Sequence, residues 1–126
     1  MVSFYKDKEK RILNPTLFSD VAMDWAEKIH NSGRGKANKR SQLRKFFDEV
    51  IRLNSRSKTE DWDNILPYVN MLIAKAAYAE GRHNVTPDFV NLMKSCIREV
   101  HEKKDLAVFA NFFEAFMGFY RKYGEN

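Results

Sequence analysis

Apolar residues recur at three- and four-residue intervals in five runs along this chain, and they nowhere alternate with period two for long enough to suggest a strand. The first run is Phe18, Val21, Ala22, Trp25, Ala26 and Ile29. Asn14-Pro15 precedes it as a start signal, with Asn as cap and Pro in the first turn, where its missing N–H costs nothing. Gly33 and Gly35 end this helix. The second run, Leu43, Phe46, Phe47, Val50 and Ile51, lies on one side of a helix whose other rows are polar. Asn54–Lys58 reads as a polar connection. Glu60-Asp61 sits near a third helix start, where negative charge suits the macrodipole. Pro67 then predicts either a short turn before the main helix or one helix kinked there. From Tyr68 to Ala79 the residues are apolar on nearly every side, the pattern of a buried central helix, with Gly81 as its end. Thr86-Pro87-Asp88 starts a fourth helix with the stripe Phe89, Met93, Cys96, Ile97 and Val100. Asp105 caps the last, whose Phe109, Phe112, Phe113, Phe116, Phe119, Tyr120 and Tyr123 form a broad aromatic face ending at Gly124. The expected fold class is all-α, a single compact bundle of about five helices spanning residues 14–126. Residues 1–13, rich in charge with scattered apolar positions, read as a flexible N-terminal arm.

Composition supports that fold. The chain has 126 residues, enough for one ordinary hydrophobic core, and its 10 Phe against 5 Gly and 3 Pro favour aromatic-packed helices over turn-rich sheets. A single Cys excludes an internal disulfide and any multi-cysteine metal site. No apolar run approaches the ~20 residues of a membrane helix, and charges interrupt the N-terminus where a signal-peptide core would lie. The expectation is a cytoplasmic protein with no membrane contact.

Charge changes the picture more. The segment from Lys28 to Phe47 holds seven Lys/Arg and no acid, whereas the remaining residues carry 15 Lys/Arg against 17 Asp/Glu. The net charge of +5 is therefore concentrated in one basic loop-helix at 28–47. Arg34, Lys36, Lys39 and Arg40 have no acid at helical spacing. Arg44 and Lys45 can pair with Asp48 and Glu49. Ser41 and Gln42 beside them can donate to phosphate oxygens or ribose hydroxyls. Three readings stand: contact with a nucleic-acid backbone, a solvated face, or docking of an acidic protein. Lys75, alone in an apolar helix, either snorkels to solvent or lines a basic groove.

Catalytic signatures are missing. His30, His83 and His101 lie at no metal-gripping spacing, no phosphate-cradling glycine motif occurs, and Cys96 falls on an apolar stripe. The paired acids sit near a helix start, where capping explains them. No metal, cofactor or enzymatic activity is expected. The Phe109–Tyr123 stripe has core spacing, with Tyr120 and Tyr123 the members placed to reach a partner.

Three segments, SQLRKFFDEV (41–50), AYAEGR (77–82) and FFEAFMGFYRKYG (112–124), resemble in order and spacing the small subunit of type III-A CRISPR interference complexes (the Csm type). The resemblance covers roughly residues 40–124. It implies a non-catalytic helical bundle, present in several copies beside the backbone subunits and the large subunit, that contacts the sugar-phosphate backbone of guide RNA and target RNA in antiviral defence. Carried onto this sequence, the contacts fall on Arg44, Lys45 and Arg82. Lys39 and Arg40 extend that face, and Lys75 joins Arg82 only if the helix continues through Gly81. Two alternatives remain: a helical module whose basic face docks an acidic partner, and a DNA-binding helix-turn-helix with Ser41–Asn54 as its recognition helix. Homodimerisation is expected if the aromatic face of the last helix exceeds what one bundle covers.

Overall fold

Five helices form where the apolar runs place them. In the computed structural model, which describes residues 1–123, they are α1 (Ala22–Gly33), α2 (Arg40–Ser57), α3 (Trp62–Gly81), α4 (Pro87–Ile97) and α5 (Lys103–Tyr120). A π-helical turn, Leu17–Val21, leads into α1, and Asn14 Oδ1 accepts from the Thr16 N–H at 3.1 Å just before it. A 3-10 turn, Arg121–Tyr123, follows α5. The expected stop at Gly124 lies outside the described residues. No helix among the described residues is long and apolar enough to cross a membrane.

The buried centre is α5, not α3. Leu106, Phe109, Phe112, Phe113 and Phe116 are all buried, and α5 packs between α1 and α2. Its rings continue one another: Phe109–Phe113 at 6.0 Å, Phe113–Phe116 at 5.7 Å and Phe116–Tyr120 at 5.5 Å between centroids. Offset aromatic contacts of this kind add to the burial of large apolar areas. By contrast α3 buries only one side, through Ile65, Val69, Leu72, Ala76 and Ala79, and leaves Tyr68, Met71 and Tyr78 exposed. Its all-round apolarity comes partly from alanines such as Ala74 and Ala77, which cost little when exposed. Most of the aromatic face of α5 is covered within this chain, with Phe119 and Tyr123 only partly buried.

Several boundaries differ from the pattern. The polar stretch Asn54–Lys58 continues α2 as far as Ser57, because Leu53 and Ser57 carry the buried stripe on, while Ile51 turns out exposed. Phe18 is also exposed; Leu17 takes the inward place in the π-helical turn. Pro67 lies inside a continuous α3. The carbonyl it leaves without a donor is that of exposed Asp63, which water can satisfy. The left-handed residue after α3 is His83 (φ 64°) rather than Gly81.

Residues 1–13 also differ from the expected flexible arm. They form an antiparallel hairpin, β1 (Tyr5–Asp7) with β2 (Ile12–Leu13), whose Tyr5 pairs Leu13. Val2 and Phe4, two apart on an extended segment, both point into the core, and Phe4 lies 6.5 Å from Phe109. The Val2 N–H donates to Ser95 Oγ at 2.6 Å and the Phe4 N–H to Glu99 Oε1 at 2.9 Å. Two apolar residues at period two suffice to dock a short strand, yet they are too few to register as a pattern.

One buried carboxylate ties this hairpin to α5. Asp105, at the third position of α5 rather than its cap, accepts from the Tyr5 hydroxyl, from Arg11 Nη2 at 3.0 Å and from the His101 and Glu102 N–H groups. Burial pushes its pKa up. The Tyr5, His101, Arg11 and Glu102 donors outweigh that and hold it below the ordinary aspartate value. Burial beside Asp105 raises Tyr5 to about 12, so its hydroxyl remains the donor. A depressed folded-state pKa gives stability that is complete above the unfolded value of roughly 4 and is lost as pH falls through the folded one. Asp105→Asn is therefore expected to cost about 2 kcal/mol at pH 7. In urea melts the gap from wild type should close below about pH 4, and a gap independent of pH would contradict this account.

Candidate nucleic-acid interface

Asn38 fixes the loop that carries the basic segment. It is 1% exposed and left-handed (φ 58°), a conformation Asn tolerates better than most residues. Its Nδ2 lies within hydrogen-bond distance of Ile29 O (2.9 Å), Ser32 Oγ (3.1 Å) and Thr86 Oγ1 (2.8 Å), while its Oδ1 accepts from the Thr86 N–H at 2.9 Å. The main chain joins in: the Asn38 N–H donates to Asn84 O at 2.9 Å, and its carbonyl accepts from Tyr120 Oη at 2.6 Å. One residue thus binds the end of α1, the α3–α4 turn, the start of α4 and the end of α5. Gly33 is matched to it, since a Cβ there would meet Asn38 Cβ at 3.3 Å. Thr86 occupies the N-cap position of α4, but its hydroxyl makes no capping bond and is turned to this network.

With the loops so pinned, α2 and α3 lie side by side and leave a groove of about 630 Å³ between them. Gln42, Lys45 and Glu49 line it from α2; Lys75, Tyr78 and Arg82 line it from α3 and the residue after it. Each set has the three- and four-residue spacing that aligns side chains along one helix face. The floor is apolar, formed by buried Phe46, Leu72 and Ala79. Three cations and one carboxylate therefore share the groove above an apolar floor.

Glu49 organises this charge. It accepts from Arg52 Nε and from Lys75 Nζ at 3.1 Å. The Arg52 hydrogen bond is the largest influence on its pKa and lowers it; burial opposes, and Lys75 adds to the lowering. Glu49 is thus ionised at neutral pH and holds the Lys75 ammonium in the groove. Lys45, expected to pair with Glu49, forms no ion pair among the described residues. The Arg82 guanidinium lies 5.8 Å from the centre of the Tyr78 ring, which is 69% exposed.

A family model for Csm2 Type III-A matches residues 14–126. The chain belongs to the Csm2 Type III-A family. No curated protein matches it, and no solved structure does. Csm2 membership makes the chain a small subunit of a type III-A CRISPR complex, as the three segments had implied. Two of those segments build the groove: 41–50 supplies Gln42, Lys45 and Glu49, and 77–82 supplies Tyr78 and Arg82. The third supplies Phe112, Phe113, Phe116 and Tyr120 to the aromatic core.

In this Csm2 chain the eight basic residues expected to contact RNA do not form one face. Lys45, Lys75 and Arg82 meet in the groove, because α3 runs through Gly81 and keeps Lys75 and Arg82 in register. Arg44 points elsewhere on α2, its Nε 3.6 Å from Asp48. Lys39 caps α2 and lines a small cleft with His30, Tyr120 and Tyr123. In that cleft Tyr120 is buried and Tyr123 stacks on His30 at 3.9 Å, so both tyrosines are engaged within the chain. Arg40, the first residue of α2, is half-buried. Lys36 is exposed in the α1–α2 loop, and left-handed Arg34 lies beside α1 and α4. Sequence reasoning missed Asn38, Glu49, Tyr78 and Asn84 as parts of the site. The spacing of Lys75, Tyr78 and Arg82 on an unbroken helix is the signal that could have revealed Tyr78.

Cys96 is buried, and burial pushes its thiol pKa up, away from the reactive range. No group of three His, Cys, Asp or Glu among the described residues could hold a metal ion.

Proposed function

We propose that this Csm2 chain is a non-catalytic, cytoplasmic RNA-binding subunit that contacts the sugar-phosphate backbone of the guide–target duplex through the α2–α3 groove, in antiviral defence. The observation that carries this reading is the convergence of Lys45, Lys75 and Arg82, from two helices, on one groove that also offers the amides of Gln42 and Asn84. Ammonium and guanidinium groups suit phosphate oxygens, and amides suit ribose hydroxyls. Nothing in the groove resembles a base-reading sheet. Base pairing between guide and target supplies the sequence specificity, so the protein need only recognise charge and shape. Repeated copies along the complex, beside its backbone and large subunits, would turn a few contacts each into tight binding. Lys39, Arg40, Arg44, Arg34 and Lys36 lie outside the groove and would add only to the general cationic field around it.

The test is target-RNA binding by a guide-RNA complex lacking its small subunit, with and without this chain, over a salt series. Addition of the chain should tighten binding and steepen the fall of log K with log salt by about 0.7–0.9 per phosphate contact. An affinity and slope unchanged by addition of the folded chain would count against the proposal.

A further inference from the structure

We propose that the seam between α1 and α4 is a second docking surface, built to hold an acidic protein segment of the same ribonucleoprotein. This surface presupposes assembly into a type III-A complex but uses none of the groove residues. Around the bundle α1 touches α5 and α4, whereas α2 touches α5 and α3. The α1–α4 seam and the α2–α3 groove thus lie between different pairs of helices.

Two depressions run along this seam. One, about 590 Å³ and open, has Lys28 and Arg34 on its α1 wall and Thr86 and Asp88 at the start of α4. The other, about 260 Å³, lies between Trp25 of α1 and Lys94 and Arg98 at the far end of α4. Lys28 links them, its Nζ 4.7 Å from the centre of the Trp25 ring. Arg11, Arg44, Arg52, Arg56 and Lys75 have each found a carboxylate, whereas Lys45 and Arg82 of the groove have none within ion-pair distance among the described residues. Lys28, Arg34, Lys94 and Arg98 have none within ion-pair distance among the described residues. Four unpaired cations on one seam call for carboxylates from outside the chain.

The aromatic floor favours protein over RNA as the occupant. Trp25 is half-buried with Lys28 already over its ring, so it offers an apolar edge and not a free face for a base. An apolar centre with a cationic rim is the anatomy of a protein interface.

The deciding experiment reconstitutes the complex from its other components with wild-type chain, with the Lys94→Glu/Arg98→Glu variant and with Lys94→Gln/Arg98→Gln, each checked for folding by circular dichroism. Incorporation is measured by gel filtration after nuclease trimming of exposed RNA. The wild type should enter, and charge reversal should raise the concentration needed for half-incorporation at least about tenfold, with the Gln variant intermediate. Binding of all three to a free RNA duplex should be equal. Incorporation of the reversed variant at wild-type levels would overturn the proposal. So would a loss of free-duplex binding matching the loss of incorporation, which would make the seam an RNA surface. Failure of the wild type itself to enter would instead remove the small-subunit placement on which the seam depends.

Discussion

The triple variant Lys45→Glu/Lys75→Glu/Arg82→Glu is expected to fold normally and to lose most of the chain's contribution to target-RNA binding. Two opposite charges about 4 Å apart are worth roughly 1 kcal/mol in water and more beside an apolar wall. Reversal both deletes an attraction and adds a repulsion. Three positions together should cost on the order of 100-fold or more in affinity at moderate salt, and the salt slope should fall by about two to three. These side chains rim the groove and leave Phe46 and Leu72 untouched, so circular dichroism should not change. Two companions separate a site from a general field. Arg44→Glu, which removes a cation already beside Asp48 and outside the groove, should cost much less. Glu49→Gln removes the one carboxylate lining the groove and should tighten binding a few-fold, given that Lys75 then meets phosphate without a competing charge. Equal losses for Arg44→Glu and the triple variant would show that net charge, not the groove, is what the RNA meets.

Asn38→Ala is expected to destabilise the chain by about 3–4 kcal/mol, a large effect for a single polar residue. The substitution leaves the half-buried Thr86 N–H without its Asn38 partner and removes one of the donors to the buried Ile29 carbonyl, which keeps Ser32 Oγ. It also places Ala at φ 58°, which adds about 1–2 kcal/mol of strain. Asn38→Gly relieves the strain but restores no hydrogen bond, and it should recover about 1 kcal/mol of the loss. Urea unfolding with an unchanged m-value is the measurement. If Asn38→Gly were as stable as wild type, the side-chain network would be incidental and the backbone conformation the only requirement. Because Asn38 joins the loop bearing Arg34, Lys36 and Lys39 to Asn84 at the groove's end, Asn38→Ala should also weaken RNA binding by a smaller factor than the triple variant.

The differences between pattern and structure share one cause. A helical wheel says which side of a helix is apolar but not how much of that side has a neighbour. Tyr68, Met71 and Tyr78 read as core on an all-apolar helix, yet only one flank of α3 meets α2 and α4. Ile51 and Phe18 fail in the same way, each at the edge of its stripe. The hairpin was illegible for another reason: Val2 and Phe4 dock by a pair of period-two contacts whose worth depends on Phe109 and Ser95, roughly a hundred residues away.

By itself the sequence determined the number and order of the helices, the aromatic stripe that fills the core, the concentration of positive charge before residue 48, and the three segments that mark a type III-A small subunit. These are local properties, carried by spacing and side-chain chemistry along a few turns. Only the tertiary structure decided which cations lie together. It brought Lys45 to Lys75 and Arg82, gave Arg44 to Asp48 and turned Arg34 toward α4. Charge in sequence adds up wherever the residues lie, but a phosphate strand meets only cations that share a surface, and packing around Asn38 and α5 sets that surface.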